Sequence, residues 1–327
     1  MSDKKLVGYR ENAKFYFGYA KDCQIRYKAA SGGVGTAFIK YLLSTPDYGT
    51  ALTFSFNRER CMYEPKLVYT FEDINICGSI YQDVDLVKYI SENIANIKKG
   101  IVVSCMPCQV KAIKAILKRN NIKAFVLSFA CSGQTSIEGT WLFYKFLGLK
   151  KNSVASMQYR GNGWPSGIQI TLHDGTKIYK DNYSYPWSLI FESKFFKPKR
   201  CFFCSTVYSE YADLSLADSW LPFYKDGDKI GTTLFSVNTE NGYSCLEDVL
   251  NKNFIEAIET NYESFYTAQK SNIILKSKSK KMKDFYDFVL KFNSNRLVRF
   301  ISFQNAFAMK VHNYVMRKMK RRFVDDD

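Results

Sequence analysis

Histidine is scarce, with two residues in a chain of 327. Zinc and non-haem iron catalysis usually draw on several imidazoles, so two leave little room for either. No stretch approaches the ~18 uninterrupted apolar residues of a membrane span. The opening segment Met1–Asn12 is polar and has no apolar centre, so nothing in it argues for export, and the expected compartment is the cytoplasm. Nine cysteines are an odd number and too sparse for a disulfide scaffold. Without an export signal they read as reduced thiols, or as ligands of a metal or cluster. No internal repeat or low-complexity linker is visible. What the chain does have is core-forming material: 46% of it is apolar and 16% aromatic, which excludes a disordered chain. Its length allows one large domain or two small ones.

Charge is unevenly spread. The whole chain carries a formal net charge of +16. From Lys270 to Asp327 there are 15 Lys or Arg and 5 Asp or Glu, a balance of +10. This segment opens with the basic run Lys276-Ser-Lys-Ser-Lys-Lys-Met-Lys283 and turns helix-like, with Phe285, Phe288, Val289 and Phe292 at helical spacing. A second helical run carries Phe300, Phe303, Phe307 and Val311, then the basic end Met316-Arg-Lys-Met-Lys-Arg-Arg322. Residues 1–268 are therefore read as a globular body and 269–327 as a basic helical tail.

The body alternates. Ile101–Cys105 and Lys123–Cys131 are apolar runs that read as strands, and Gln109–Arg119 and Thr135–Leu147 read as the helices that follow them. Strand and helix in alternation imply a parallel α/β core. Short strands at 154–159, 168–172 and 177–179 come next, the last two joined by the turn His173-Asp-Gly-Thr176, so an antiparallel segment follows. The fold class expected is mixed α/β (α+β), ending in a helical appendage.

Four local features carry candidate chemistry. Ala30-Ser-Gly-Gly-Val-Gly-Thr-Ala37 opens an apolar helix. It reads either as a cradle whose backbone N–H groups meet a phosphate or a flavin edge, or as a helix start capped by Ser31. It is neither a dinucleotide fingerprint nor a P-loop. Cys105-Met-Pro-Cys108-Gln and Cys131-Ser-Gly-Gln each end a strand, and carboxyl ends of adjacent parallel strands line a common crevice. Cys201-Phe-Phe-Cys204 is the fourth feature. Structural zinc usually sets its two cysteine pairs closer together than Cys108 and Cys201 stand. An iron–sulfur cluster accepts thiolates from distant loops. Cys108, Cys131, Cys201 and Cys204 are the candidate ligands, whereas Cys23, Cys61, Cys77 and Cys245 read as buried free thiols. A redox disulfide at Cys105 and Cys108 is a further reading.

The order of these motifs resembles the coenzyme F420 hydrogenase/dehydrogenase beta-subunit family, which comprises flavin- and iron–sulfur-containing reductases. The resemblance is carried by Ser31-Gly-Gly33, Gly78-Ser-Ile-Tyr81, Pro107-Cys-Gln109, Cys131-Ser-Gly133 and Arg160-Gly-Asn-Gly-Trp164. It continues through Cys201 and Cys204, Ala212-Asp213, Asp218-Ser-Trp220, Gly231-Thr-Thr and Asn238-Thr-Glu-Asn-Gly242. It spans about residues 15 to 245, with an N-terminal part at 15–95 and a C-terminal part at 96–245. It implies an FAD and one [4Fe-4S] cluster on Cys108, Cys131, Cys201 and Cys204. Ser31, Gly32 and Gly33 would meet the flavin or its phosphates, with Ser79 and Tyr81 nearby. Arg160 would pair with a phosphate or an anionic substrate.

The chain departs from the family pattern at Cys105, where a glycine is usual, at Ile80, often Lys, and at Ala217, usually Gly. The first leaves Cys105 open as a ligand. Many relatives carry an N-terminal ferredoxin segment that has no counterpart here, so further clusters are expected on a separate partner.

The function expected is a flavin-dependent iron–sulfur oxidoreductase. It would pass electrons between a ferredoxin-type donor, or a separate iron–sulfur subunit, and a small-molecule substrate. That substrate is a deazaflavin coenzyme, or a sugar or nucleotide-sugar of surface polysaccharide biosynthesis, and the missing ferredoxin segment and basic tail favour the latter. The competing reading is a non-catalytic relative that binds a membrane or a partner through its tail. For the tail, residues 276–322, an anionic membrane surface at the inner face of the membrane stands against a helical cap that packs its Phe face on the body. Nucleic acid is the weaker use, since no RRM, KH, zinc-finger or helix-turn-helix pattern accompanies the charge.

Overall fold

A computed structural model describes residues 13–181, 183–276 and 280–324. The segment Met1–Asn12 and the middle of the basic run, 277–279, lie outside the described residues. The fold is mixed α/β, as the alternation of patterns implies. Its centre is a parallel pair. Strand β4 (Gly100–Cys105) buries Ile101, Val102 and Val103 completely, and β5 (Ala124–Phe129) does the same with Phe125, Val126 and Leu127. Such continuous apolar runs suit strands covered on both faces. Helix α4 (Val110–Arg119) returns the chain from β4 to β5 and buries Val110, Ile113 and Leu117, one face of a helix.

Eight strands complete the main sheet. β2 (Tyr48–Asn57), β4, β5 and β9 (Leu214–Asp218) run parallel, in the order β9-β5-β4-β2. β3 (Met62–Val68) adds antiparallel to β2. Beyond β9, strands β10 (Thr233–Val237), β1 (Lys14–Ala20) and β11 (Ile255–Thr260) add antiparallel in that order. The first strand is out of chain order in the sheet: β1 is inserted between the two last strands, β10 and β11.

The antiparallel segment expected after the α/β unit is a separate three-stranded sheet, β6 (Val154–Gln158), β7 (Ile168–Leu172) and β8 (Lys177–Lys180). The expected turn joins β7 to β8, with Gly175 at φ 87° and Asp174 accepting from the Thr176 N–H at 2.9 Å.

The tail is helical, but its first helix is continuous with the body. That helix, Tyr262–Lys276, runs through the boundary expected at 268 and buries Phe265, Ala268 and Ile273 against Phe15, Tyr208 and Leu234. Lys280–Ser294, Arg296–Ser302 and Ala306–Val324 follow. Phe285 and Val289 are buried, as their spacing implies. The last two helices follow the expected packing only in part, since Phe303 lies against Phe195 and Phe196 and the rest of its run does not pack. Phe300, Phe307 and Val311 are 65%, 74% and 47% exposed, and the face packed on the body carries Met309, His312, Asn313 and Met316. The reason is partner chemistry. Asn293 Oδ1 accepts from His312 Nε2 at 2.8 Å, and Asn313 donates to the Leu189 carbonyl at 2.9 Å, so a polar stripe finds satisfied burial while an apolar one stays outside.

Candidate functional site

Parallel pairing sets Cys105 of β4 opposite Ser128 of β5, so both strands end at one edge of the sheet. β9 ends there too, with Asp218, and antiparallel β10 begins there, with Thr233. The chain leaving β1 also turns at this edge, since Ala20 donates to the Gly32 carbonyl at 2.7 Å. Cys108, Cys131, Asp218 and the Ser31-Gly32-Gly33 turn therefore share the carboxyl edge of the sheet.

The cysteine end of this edge gathers three segments. Helix α7 (Lys199–Phe203; α6 is Trp187–Ser193) holds Cys201 and is followed by Cys204. Gln109 pins the turn that bears Cys108 by accepting from the Met106 N–H at 3.1 Å and donating to the Val84 carbonyl at 3.1 Å. Cys131 is anchored by its N–H on the Val207 carbonyl at 2.9 Å. Burial raises the Cys108 thiol above its ordinary range, and the neighbouring Cys204, Cys131 and Cys201 raise it further. Cys131 is also raised by burial, and Lys276 opposes that. Two ammonium groups face this quartet. Lys276 Nζ lies 3.7 Å from Cys204 Sγ, and Lys197 donates to the Ser132 carbonyl at 3.3 Å.

Among the described residues no three His, Cys, Asp or Glu side chains close on a point as they would around a single ion. Four thiols near enough to raise one another, with ammonium groups beside them, are the donor set an iron–sulfur cluster would take. Cys105 stands apart. It is 1% exposed in the apolar core with Val103 and Ile113, and burial pushes its thiol up to about 12. That is the reverse of the lowered thiol a redox-active C-x-x-C needs.

At the other end of the edge, the glycines answer to packing. A Cβ on Gly32 would come within 2.5 Å of the Gly18 carbonyl oxygen and 2.6 Å of the Thr233 N. Gly33, at φ 77°, is the N-cap of α2 (Val34–Leu43; α1 is Cys23–Lys28) and makes no side-chain cap. Ser31 does not cap the helix either, and its hydroxyl pairs with Thr233 Oγ1 at 3.0 Å.

Arg160 is 4% exposed and its fork is taken: both terminal nitrogens meet Asp218, at 2.8 and 3.1 Å, and one also donates to the Ala30 carbonyl at 2.6 Å. Burial opposes its charge, but Asp218 outweighs that and the guanidinium is held above its ordinary pKa. Trp164 stacks on Trp220, centroids 4.9 Å apart, so the Arg160–Trp164 and Asp218–Trp220 motifs lock at two points. The sequence contains both motifs, but nothing in it pairs them.

Gly78, at φ 64°, lies so close to the Arg160 carbonyl that a Cβ would stand 2.1 Å from it. Ser79 and Tyr81 are half-buried beside it, and Tyr81 leans on the rings of Tyr159 and Trp187 with its hydroxyl 3.4 Å from that of Tyr183. The turn at 31–33, Arg160 and the 78–81 segment are thus brought together. Arg160 Nε, Trp164 Nε1 and Ser166 Oγ are buried here without a partner among the described residues. Buried polar atoms are nearly always satisfied, so these orphans fit a bound polar group such as a flavin.

These features define a mixed α/β protein with a thiol-rich site and a glycine-lined turn on one sheet edge. Residues 15–91 match the N-terminal part, and residues 98–263 the C-terminal part, of the coenzyme F420 hydrogenase/dehydrogenase beta subunit. The chain belongs to that beta-subunit family, and so to its class of oxidoreductases. A comparison with curated proteins found no match. Among solved structures, the chain is similar in fold to one in the F420-reducing [NiFe] hydrogenase complex from Methanosarcina barkeri studied by xenon derivatization. The TM-score is 0.63 at 16% identity, over 88% of this chain and 95% of that one.

Proposed function

We propose that the chain is a flavin-dependent iron–sulfur reductase with FAD and one [4Fe-4S] cluster. In this reading it passes electrons between a ferredoxin-type donor, or a separate iron–sulfur subunit, and a small-molecule substrate. The observation that carries it is the convergence of Cys108, Cys131, Cys201 and Cys204, from three separate segments, beside two lysines and away from any carboxylate partner of those lysines. The cluster exchanges single electrons and the flavin exchanges pairs, and the protein sets position and potential. Cys108 would be the exposed ligand, and a cleft lined by Asp83, Asp85, Lys199 and Arg200 opens nearby, where a donor would dock. Ser31 and the 78–81 segment would orient the flavin. Arg160 would hold the turn that receives it and offer Nε to it. The substrate favoured is a sugar or nucleotide-sugar over a deazaflavin coenzyme.

Anaerobic reconstitution, followed by iron, sulfide and flavin quantitation, tests the reading. A colourless protein with none of the three sinks it. Cys204→Ala should lose the iron and Cys105→Ala should keep it, and the reverse would overturn the ligand assignment.

The same reading puts the protein in the cytoplasm, at the inner face of the membrane through residues 276–322. No helix among the described residues is long and apolar enough to cross a membrane. Support comes from the outward stripe of Phe307, Val311 and Tyr314 on the last helix, which continues into Lys318, Arg321 and Arg322, with Phe300 also exposed on the helix before it. Aromatic and basic residues on one exposed face suit an anionic interface. The full chain should sediment with phosphatidylserine-containing vesicles and not with phosphatidylcholine alone. Phe300→Ser combined with Phe307→Ser should leave it in the supernatant, and sedimentation unaffected by that change would refute the surface.

A further inference from the structure

The helix Tyr262–Lys276, α10 in chain order after α8 (Pro222–Gly227) and α9 (Glu240–Asn251), ends on a buried charge. Lys276 is 3% exposed. Its ammonium donates to the Thr206 carbonyl at 2.6 Å and points at Cys204 Sγ at 3.7 Å. Lys197 also reaches the quartet, since a Cβ on Gly133 would stand 2.9 Å from its Nζ and 3.8 Å from the Cys201 Cβ. Among the described residues no carboxylate forms an ion pair with either lysine. Burying an ammonium without an anionic partner costs several kcal/mol, so proteins bury such groups paired. Among the described residues, the hydrogen-bond partners of Lys276 are the Thr206 carbonyl and the Cys204 thiol, and the ammonium of Lys197 is close enough to repel it.

The same helix touches the other end of the site. Gln269, 2% exposed, donates to the Asp218 carbonyl at 2.9 Å. Seven residues separate Gln269 from Lys276, roughly 10 Å of helix axis. One rigid element therefore spans from the Arg160–Asp218 clamp to the cysteines. Its charged end lies beyond residue 263, where the match to the family ends.

We propose that Lys276 is a positioning residue that supplies the fixed counter-charge of the cysteine quartet and sets the reduction potential of the cluster it holds. The proposal rests on the iron–sulfur reading above. Reduction adds one electron, taken from a one-electron donor of the ferredoxin type, to a centre already ringed by four thiolates. A fixed cation in a low-dielectric site stabilises the reduced form more than the oxidised form. Lys197, beside the same cysteines, acts in the same direction.

The experiment uses the full chain, anaerobically reconstituted, as wild type, Lys276→Met and Lys276→Arg. Iron and sulfide per chain are measured first, then the midpoint potential by titration followed with electron paramagnetic resonance. Wild type without iron would overturn the iron–sulfur reading and this proposal with it. With iron bound, Lys276→Met should lower the reduced-to-oxidised ratio at a given potential about tenfold, a shift of about 59 mV for a one-electron couple. Lys276→Arg should stay near wild type. Loss of iron in Lys276→Met but not in Lys276→Arg would also support a required charge. Loss in both would mean a packing role and overturn the proposal, as would a Lys276→Met protein with full iron and an unshifted midpoint.

Discussion

Arg160→Met separates a structural arginine from a ligand-binding one. The wild-type guanidinium makes two contacts with Asp218 and one with the Ala30 carbonyl, and the two charged side chains are 5% and 19% exposed. Methionine replaces the arm with apolar volume but leaves Asp218 without its cation and Ala30 without its donor. Breaking a buried pair from one side costs about 3–5 kcal/mol. In a chain of this size each kcal/mol moves the melting temperature by a few degrees, so a drop of about 10 °C is expected. Thermal unfolding of the flavin-free protein, followed by circular dichroism, reads it directly. Asp218→Asn should fall in the same direction, and the double variant should fall by clearly less than the sum, because the two groups share one interaction. A variant that melts with wild type would refute the clamp, and if it also lost flavin binding, Arg160 would be a ligand-binding group after all.

Two further outcomes follow from backbone and burial. Gly32→Ala drives a methyl into the Gly18 carbonyl and the Thr233 N, neither of which can swing away, and should cost about 1–3 kcal/mol in urea unfolding. Ser31→Ala, which removes only the hydroxyl contact with Thr233, should cost less than Gly32→Ala.

Lys194 sits at φ 61° after α6, and burial, with Lys197 and Lys320 adding to it, lowers its pKa to about 8 from 10.5. Below about pH 8 both folded and unfolded states carry the proton, and the full penalty applies. Between about 8 and 10.5 the folded state loses it first, so stability attributable to this group rises with pH. Lys194→Gly should therefore stabilise at pH 7, and its advantage should shrink as the pH approaches 10.5. An advantage that did not change with pH would point to backbone relief alone.

Periodicity was the most readable signal. The apolar runs at 101–105 and 123–131, the helix over Gln109–Arg119 and the turn at His173–Thr176 all translate into the observed elements, because each is decided by local pattern and burial on known faces. The turns bearing Cys108 and Cys131 are legible as neighbours, since turns at the ends of adjacent parallel strands face one edge, whereas Cys201 and Cys204 join them only in the folded chain. The tail was less so. Helical spacing puts Phe300, Phe303, Phe307 and Val311 in one run, but a break between two helices divides it, Phe303 packs on Phe195 and Phe196, and the face of the last helix that packs is set by Asn293 and Leu189, met only in three dimensions.

The class of the chain is written along it: little histidine, cysteines at strand ends, alternating patterns and an ordered motif set are local properties. The three-dimensional fold settles what the motifs are for one another. It inserted β1 between β10 and β11, spent the glycines of the 31–33 turn on close approach, and gave the Arg160 fork to Asp218. It also carried Lys276 from the tail to Cys204, 72 positions away in the chain. Contacts of such separation are set by sheet order and by the need of each buried charge for a partner, and neither is written in any one stretch of sequence.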